Sequence, residues 1–166
     1  HTGAIERLRQ LNPQVILLAS EKAKDMLSSF YGIHDAIQAV SENEILPLGG
    51  HTLQFFSTPN VHWPETIMTY ETSQRVLFSC DGFGGYGKLG EGIYDDTCGK
   101  REWYEQEAQR YFSNIVVSFS KPVQMAIAKL AKIEIDVVAP AHGLVWRQEP
   151  QRIIQLYAKW ANYREK

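Results

Sequence analysis

His51–Glu71 reads HTLQFFSTPNVHWPETIMTYE. HTLQFFS (His51–Ser57) and IMTYE (Ile67–Glu71) have the aromatic, β-branched content of strands, and Pro59, Asn60 and Pro64 interrupt the chain between them. The joint carries one imidazole, His62, directly ahead of Trp63 and Pro64. A strand end holds a side chain rigidly at the rim of a sheet, so the reading turns on whether other ligand-type residues occupy similar joints.

Two do. Arg75–Ser79 is a third strand, joined to the second by the hairpin-length link Thr72-Ser73-Gln74, and Asp81 follows it. IDVVAP (Ile135–Pro140) is a strand, and His142 follows it. His62, Asp81 and His142 stand next to Pro64, Gly82 and Gly143. If their strands share a sheet, the three side chains meet on one rim, where α/β folds place sites. Imidazole and carboxylate suit zinc, iron or manganese, whereas calcium or magnesium sites use oxygens alone. A carboxylate between two histidines can bridge two ions. Iron is the choice if dioxygen or nitric oxide is the substrate, because zinc has no redox chemistry. The plainer alternatives are a hydrogen-bonded structural histidine, a turn aspartate and a His-Gly turn. His34, in a polar loop, and His51, at a strand start, are weaker ligand candidates.

Around this frame the pattern alternates helices with strands. Thr2 can cap a helix carrying Ile5, Leu8 and Leu11, which Pro13 ends. Gln14–Ser20 is a near-continuous apolar run, as in a strand covered on both faces. Ser20 caps a helix from Glu21 to about Phe30, stopped by Gly32. The stretch up to Gly49-Gly50 is weakly patterned. GFGGYGKLGEG (82–92), with six glycines in eleven residues, predicts a long mobile loop. Glu102–Val117 and Lys121–Lys132 are two helices, and Pro150 opens a last one with Ile153, Ile154, Tyr157 and Trp160 on one face. The order predicts helices packed over sheets, a layered α/β (α+β) domain with no visible internal boundary.

The 166 residues carry a formal net charge of −2, which gives no basic face for nucleic acid or an anionic membrane. No apolar run reaches eighteen residues, and the start lacks a signal-peptide pattern. The two cysteines, Cys80 and Cys98, make neither a metal pair nor a disulfide framework and fit reduced thiols in the cytosol. Cys80, in the apolar run LFSC, reads as a buried inert thiol. There is no G-x-S-x-G elbow and no phosphate loop; the glycines after Asp81 lack dinucleotide-fold spacing. The chain opens on His1-Thr2-Gly3-Ala4 rather than methionine, which is expected of a piece of something longer or a processed product.

HWPET, LFSCDGFG with YGKLGEGIYDD, and APAHGLVWR together resemble the flavodiiron proteins. These are a branch of the metallo-β-lactamase superfamily that reduces dioxygen or nitric oxide at two irons. The family pattern is H-W-P-[DE], then S-x-D-[AG]-F-G, then P-x-H-G-x-[IVL]-W-R. The intervals agree, with 19 positions from His62 to Asp81 and 61 from Asp81 to His142. The resemblance covers essentially the whole chain and implies an αββα sandwich. It makes His62 a ligand of one iron, His142 of the other and Asp81 the bridge. The opening H-T-G-A resembles the end of the family's H-x-E-x-D-H-[ST]-G motif, which makes His1 a ligand of the same iron as His142. The rest of that motif, with the N-terminal strands of the sandwich, would precede residue 1. The flavodoxin-like domain carrying FMN would follow residue 166.

The resemblance further implies electrons passing from FMN to the irons, a rubredoxin-type donor, and a head-to-tail homodimer in the cytoplasm. Without the ligands that would precede residue 1, metal binding is expected to be weak, and without the neighbouring strands an open sheet edge and an apolar face needing a partner are expected. Two alternatives stay open. One is a zinc-dependent hydrolase of the same superfamily; the other is a non-catalytic scaffold fragment.

Overall fold

The computed structural model describes residues 3–162. β4 (His51–Ser57) and β5 (Ile67–Glu71) are the two strands expected on either side of HWPET, with the expected bounds. They run antiparallel, Phe56 opposite Met68. β5 turns back into β6 (Val76–Phe78), and Glu71 holds that turn. Its carboxylate accepts the backbone N–H groups of Ser73 and Gln74 at 3.2 and 2.7 Å, and the Ser73 hydroxyl also donates to it. The Ser73 hydroxyl and these amides draw the Glu71 carboxyl down to about 2.

β3 (Ile45–Leu48) pairs with the outer edge of β4, and β7 (Val137–Ala139) lies parallel to β6, giving a five-stranded sheet ordered β3-β4-β5-β6-β7. Because β5 is antiparallel to both β4 and β6, and β7 is parallel to β6, the C-terminal ends of β4, β6 and β7 share one rim. That topology realises the convergence expected from the sequence.

Tyr70, Leu77 and Val138 are paired across β5, β6 and β7 and form one buried row on the same sheet face. The helices α3 (Arg101–Tyr111), α4 (Ser120–Leu130) and α5 (Pro150–Ala161) supply its cover. Phe112, Val116, Val123, Ile153 and Tyr157 join the strand residues in one apolar core. Burial of this kind, at roughly 25 cal/mol per Å² of apolar surface, is the main force holding sheet to helices. The face of α5 is the one expected: Ile153, Ile154 and Tyr157 are buried and Trp160 packs against them.

A second, smaller α-over-β layer precedes the large sheet. β1 (Leu17–Ala19) and β2 (Ile37–Ala39) pair in parallel. α1 (Ile5–Leu11) and α2 (Glu21–Tyr31) lie beside them, with Leu27, Ile33 and Ala19 at the centre of the packing. Ser20 caps α2 as expected, accepting from the Ala23 amide at 3.1 Å, and Gly32 closes it with φ 64°. The expected cap Thr2 lies outside the described residues.

Three elements differ from the sequence reading. β2 and β3 arise in the stretch that has no clear pattern. Expected helix Glu102–Val117 gives way after Tyr111 to a π-helical turn (Phe112–Val116) and a 3₁₀ turn (Val117–Phe119), which lead directly into α4. The first part of the glycine-rich segment is packed rather than mobile: Gly82–Gly85 are buried. A Cβ on Gly85 would stand 3.1 Å from the Ala108 backbone, so α3 and this segment approach too closely for a side chain.

Asp95 ties the far end of that segment to the approach to α5. It is buried, and its oxygens accept the backbone N–H groups of Arg147, Gln148 and Glu149 at 3.0, 3.1 and 2.9 Å. Burial pushes its carboxyl up, but the three amides outweigh that and leave it below the usual aspartate range. Asp95→Ala is expected to lower unfolding stability by about 1–3 kcal/mol, measured by denaturant titration at neutral pH. A depressed folded-state value stabilises above the unfolded aspartate value of about 3.9 and loses that contribution as pH falls through the folded value. The gap between wild type and Asp95→Ala should therefore close in acid, not in base.

Candidate metal centre

His62 sits in the loop from Thr58 to Thr66 that joins β4 to β5. The loop is closed by Thr58 N–H on Thr66 O (3.0 Å) and Asn60 N–H on Trp63 O (2.7 Å). The Thr66 hydroxyl also donates to Trp63 O (2.8 Å). Asp81 lies three residues beyond β6 in a tight turn where the Ser79 hydroxyl donates to Gly82 O (2.6 Å) and Gly82 N–H to Ser79 O (3.0 Å). Cys80, just before Asp81, and Phe83, two residues after it, have φ of 53° and 63°, left-handed values that cost a non-glycine residue about 1 kcal/mol or more each. His142 lies three residues beyond β7, and Ala141 N–H donates to Cys80 O at 2.7 Å, stitching the two loops together.

The loops bring the three expected residues together. His62 Nε2 is 3.3 Å from Asp81 Oδ2, and His142 Nε2 is 3.7 Å from Asp81 Oδ1. Each imidazole thus addresses a different oxygen of one buried carboxylate. His142 Nδ1 lies 3.1 Å from Gly85 O. A carbonyl can only accept, so Nδ1 donates to it, and Nε2 is the ring nitrogen that faces Asp81. A Cβ on Gly84 would come within 2.6 Å of His142 Cε1, so the ring fits only against a glycine.

Tyr111, which the sequence did not single out, completes the wall. It ends α3 where the π-helical turn begins, and such turns recur at functional sites. Its ring meets His142 edge-on at 4.7 Å between centroids and His62 at 6.4 Å. Its hydroxyl is buried with no hydrogen-bond partner, and burial and then the Asp81 charge push its pKa well up, which keeps it a neutral donor. These side chains line the end of a cavity of about 830 Å³ that runs between α1, α2 and the rim of the large sheet.

The donors fit a pair of transition-metal ions. Two donors on one ion with bonds of about 2.0–2.2 Å stand roughly 3–3.5 Å apart, and the two His–Asp separations are near that span. No group of three or more His, Cys, Asp or Glu side chains among the described residues surrounds a single point. The fourth expected ligand, His1, lies outside the described residues. His34 instead bonds Ser28 at the surface (2.8 Å) and His51 faces Glu71 (3.3 Å), so neither reaches the site. Cys80 is half-buried, and its thiol is pushed up by burial, as an inert cysteine would be.

Two sheets flanked by helices, with a His–Asp–His rim, define a metallo-β-lactamase-like domain. The family model described as ODP family beta lactamase matches residues 2–143. The chain belongs to that family. Its relatives include the anaerobic nitric oxide reductase flavorubredoxin of Enterobacter sp. (strain 638), 35% identical over 99% of this chain and 35% of the relative. The flavorubredoxin homolog of Escherichia coli O157:H7 is 35% identical over 99% of this chain and 41% of its own length. Among solved structures, a mutant of the Thermotoga maritima flavo di-iron protein superposes with a TM-score of 0.89 at 32% identity, covering 97% of this chain and 41% of that one. The chain thus spans about a third to two fifths of these relatives, and the flavodiiron resemblance read from the three motifs holds.

Proposed function

We propose that this chain supplies half of a di-iron centre to an oxidoreductase that reduces nitric oxide or dioxygen. His62 would hold one ion and His142 the other, and Asp81 would serve both. The observation that carries this reading is the approach of the two imidazoles to opposite oxygens of one carboxylate. His1 and segments corresponding to the unmatched parts of the relatives would add further ligands. Bound iron would supply the redox chemistry and open coordination positions that these side chains lack.

The chain's own residues set the surroundings. Gly85 O orients the His142 ring, and the turn around Asp81 holds the carboxylate at fixed height above the sheet. The Tyr111 hydroxyl offers a neutral donor to a substrate oxygen. Electrons would come from FMN on a flavodoxin-like domain of the full-length protein, fed by a rubredoxin-type donor and passed between subunits of a homodimer. No helix among the described residues is long and apolar enough to cross a membrane.

Full-length protein loaded with ferrous iron and given reduced flavin should consume nitric oxide or dioxygen at many turnovers per site. Zinc-loaded protein should consume neither. Hydrolysis of esters or lactams by the zinc form, with no iron-dependent gas reduction, would overturn this reading.

A further inference from the structure

We infer that Glu65 is the residue through which protons reach the reacting end of the cavity; the inference rests on the proposed reduction. A second cavity of about 400 Å³ lies on the other side of the HWPET loop. Its outer wall includes Glu21, Lys22, Ser41 and Glu42, all exposed, so it opens to solvent. Ser20, Glu65, Thr66 and Ile67 line both this cavity and the large one that holds His62, Asp81 and Tyr111. Of these four wall residues only Glu65 is an acid.

Two further observations place it there for a purpose other than packing. Glu65 Oε2 is buried and has no hydrogen-bond partner, a costly arrangement for a carboxylate that a purely structural role would not need. The backbone is meanwhile fixed: the Ser20 hydroxyl, which also caps α2, donates to Glu65 O at 2.7 Å. The chain therefore holds the acid in the partition while leaving one carboxyl oxygen unengaged by protein.

The chemistry requires such a group. Reducing dioxygen to two waters takes four protons with four electrons, and reducing two nitric oxide molecules to nitrous oxide and water takes two of each. Reduced flavin supplies the electrons. Glu65 stands where the cavity that holds His62, Asp81 and Tyr111 meets the one that opens to solvent. Glu65 releases its carboxyl proton toward the reacting end and takes another from water entering the second cavity, so it is unchanged after each transfer. Charged and titratable residues lining the reacting side are Tyr31, His62, Cys80, Asp81, Tyr86, Tyr111 and His142. On the solvent side they are Glu21, Lys22 and Glu42, the last paired with Lys129 at 2.9 Å.

The test compares full-length wild type with Glu65→Gln, measuring iron content, gas consumption, the solvent deuterium isotope effect and the response to added formate. Glu65→Gln should keep wild-type iron content and lose about 10²-fold in rate. Its isotope effect should rise, and formate, small enough to enter the partition, should restore part of the rate. Glu65→Asp should fall between the two. Full rate with an unchanged isotope effect in Glu65→Gln would overturn the relay, as would loss of iron, which would make Glu65 structural. If wild type itself shows no iron-dependent consumption, the reduction reading fails and the relay falls with it.

Discussion

Replacing Asp81 with alanine in the full-length protein is expected to abolish both iron binding and gas reduction while leaving the fold intact. Among the described residues Asp81 is the carboxylate placed against both histidines, at 3.3 and 3.7 Å, so its removal should take a donor from each ion at once. Loss of one partner around a metal typically costs about tenfold to a hundredfold in affinity even when that partner only hydrogen-bonds a ligand. Losing a shared donor should leave less than a tenth of the iron after desalting. The carboxylate is buried and its turn is held mainly by Ser79 and Gly82, so circular dichroism should stay that of wild type. Unchanged iron content in Asp81→Ala would remove the bridge from the structure's chemistry.

Gly84→Ala is the second large effect. The added methyl group would lie 2.6 Å from Cε1 and 2.8 Å from Nδ1 of His142, and 3.0 Å from Asp81 O. The backbone cannot retreat, because Gly84 O accepts the Tyr157 hydroxyl at 2.7 Å and Tyr157 is fully buried among Phe83, Phe112 and Trp160. The imidazole must therefore swing out, breaking its bond to Gly85 O and leaving Asp81. Iron affinity should fall by about ten- to a hundredfold. His142→Ala in the same background should then add little further loss, because the ring has already left; a full additional loss would show that the methyl group is accommodated without moving it.

The site was legible in the sequence to the extent that strands announce themselves. β4 and β5 have strand-type composition on either side of the Pro59, Asn60 and Pro64 break, LFSC runs into Asp81 and DVVAPA into His142, so strand ends suggested the rim, and the family motifs at their intervals singled it out. β2 and β3 did not show because they are short and border the sheets, with exposed Gln38 and Ile45 and with Pro47 inside β3. Their pairing is decided by partners far along the chain rather than by local pattern. Tyr111 was hidden because an aromatic residue near the end of a helix reads as core. Its role depends on the switch to a π turn after it, and nothing in FSNIVVSFS marks that switch. Glycine content misled in the other direction: Gly82, Gly84 and Gly85 permit close packing against Met68, His142 and Ala108 rather than motion.

Tyr111 and Glu65 share a feature that distinguishes them from the rest of the wall, a buried polar atom without a protein partner. Natural interiors keep few such atoms, and each asks for an explanation. The Tyr111 hydroxyl, on a ring packed against His142, and the Glu65 carboxyl, on the partition toward solvent, give the cavity a donor at the reacting end and an acid at the wall.

The most direct test is an anomalous-scattering map at the iron edge from crystals of the iron-loaded full-length protein. Two iron peaks are expected, one beside His62 Nε2 and one beside His142 Nε2, with Asp81 contributing one oxygen to each. A single peak, or iron bound away from Asp81, would contradict the shared-carboxylate centre.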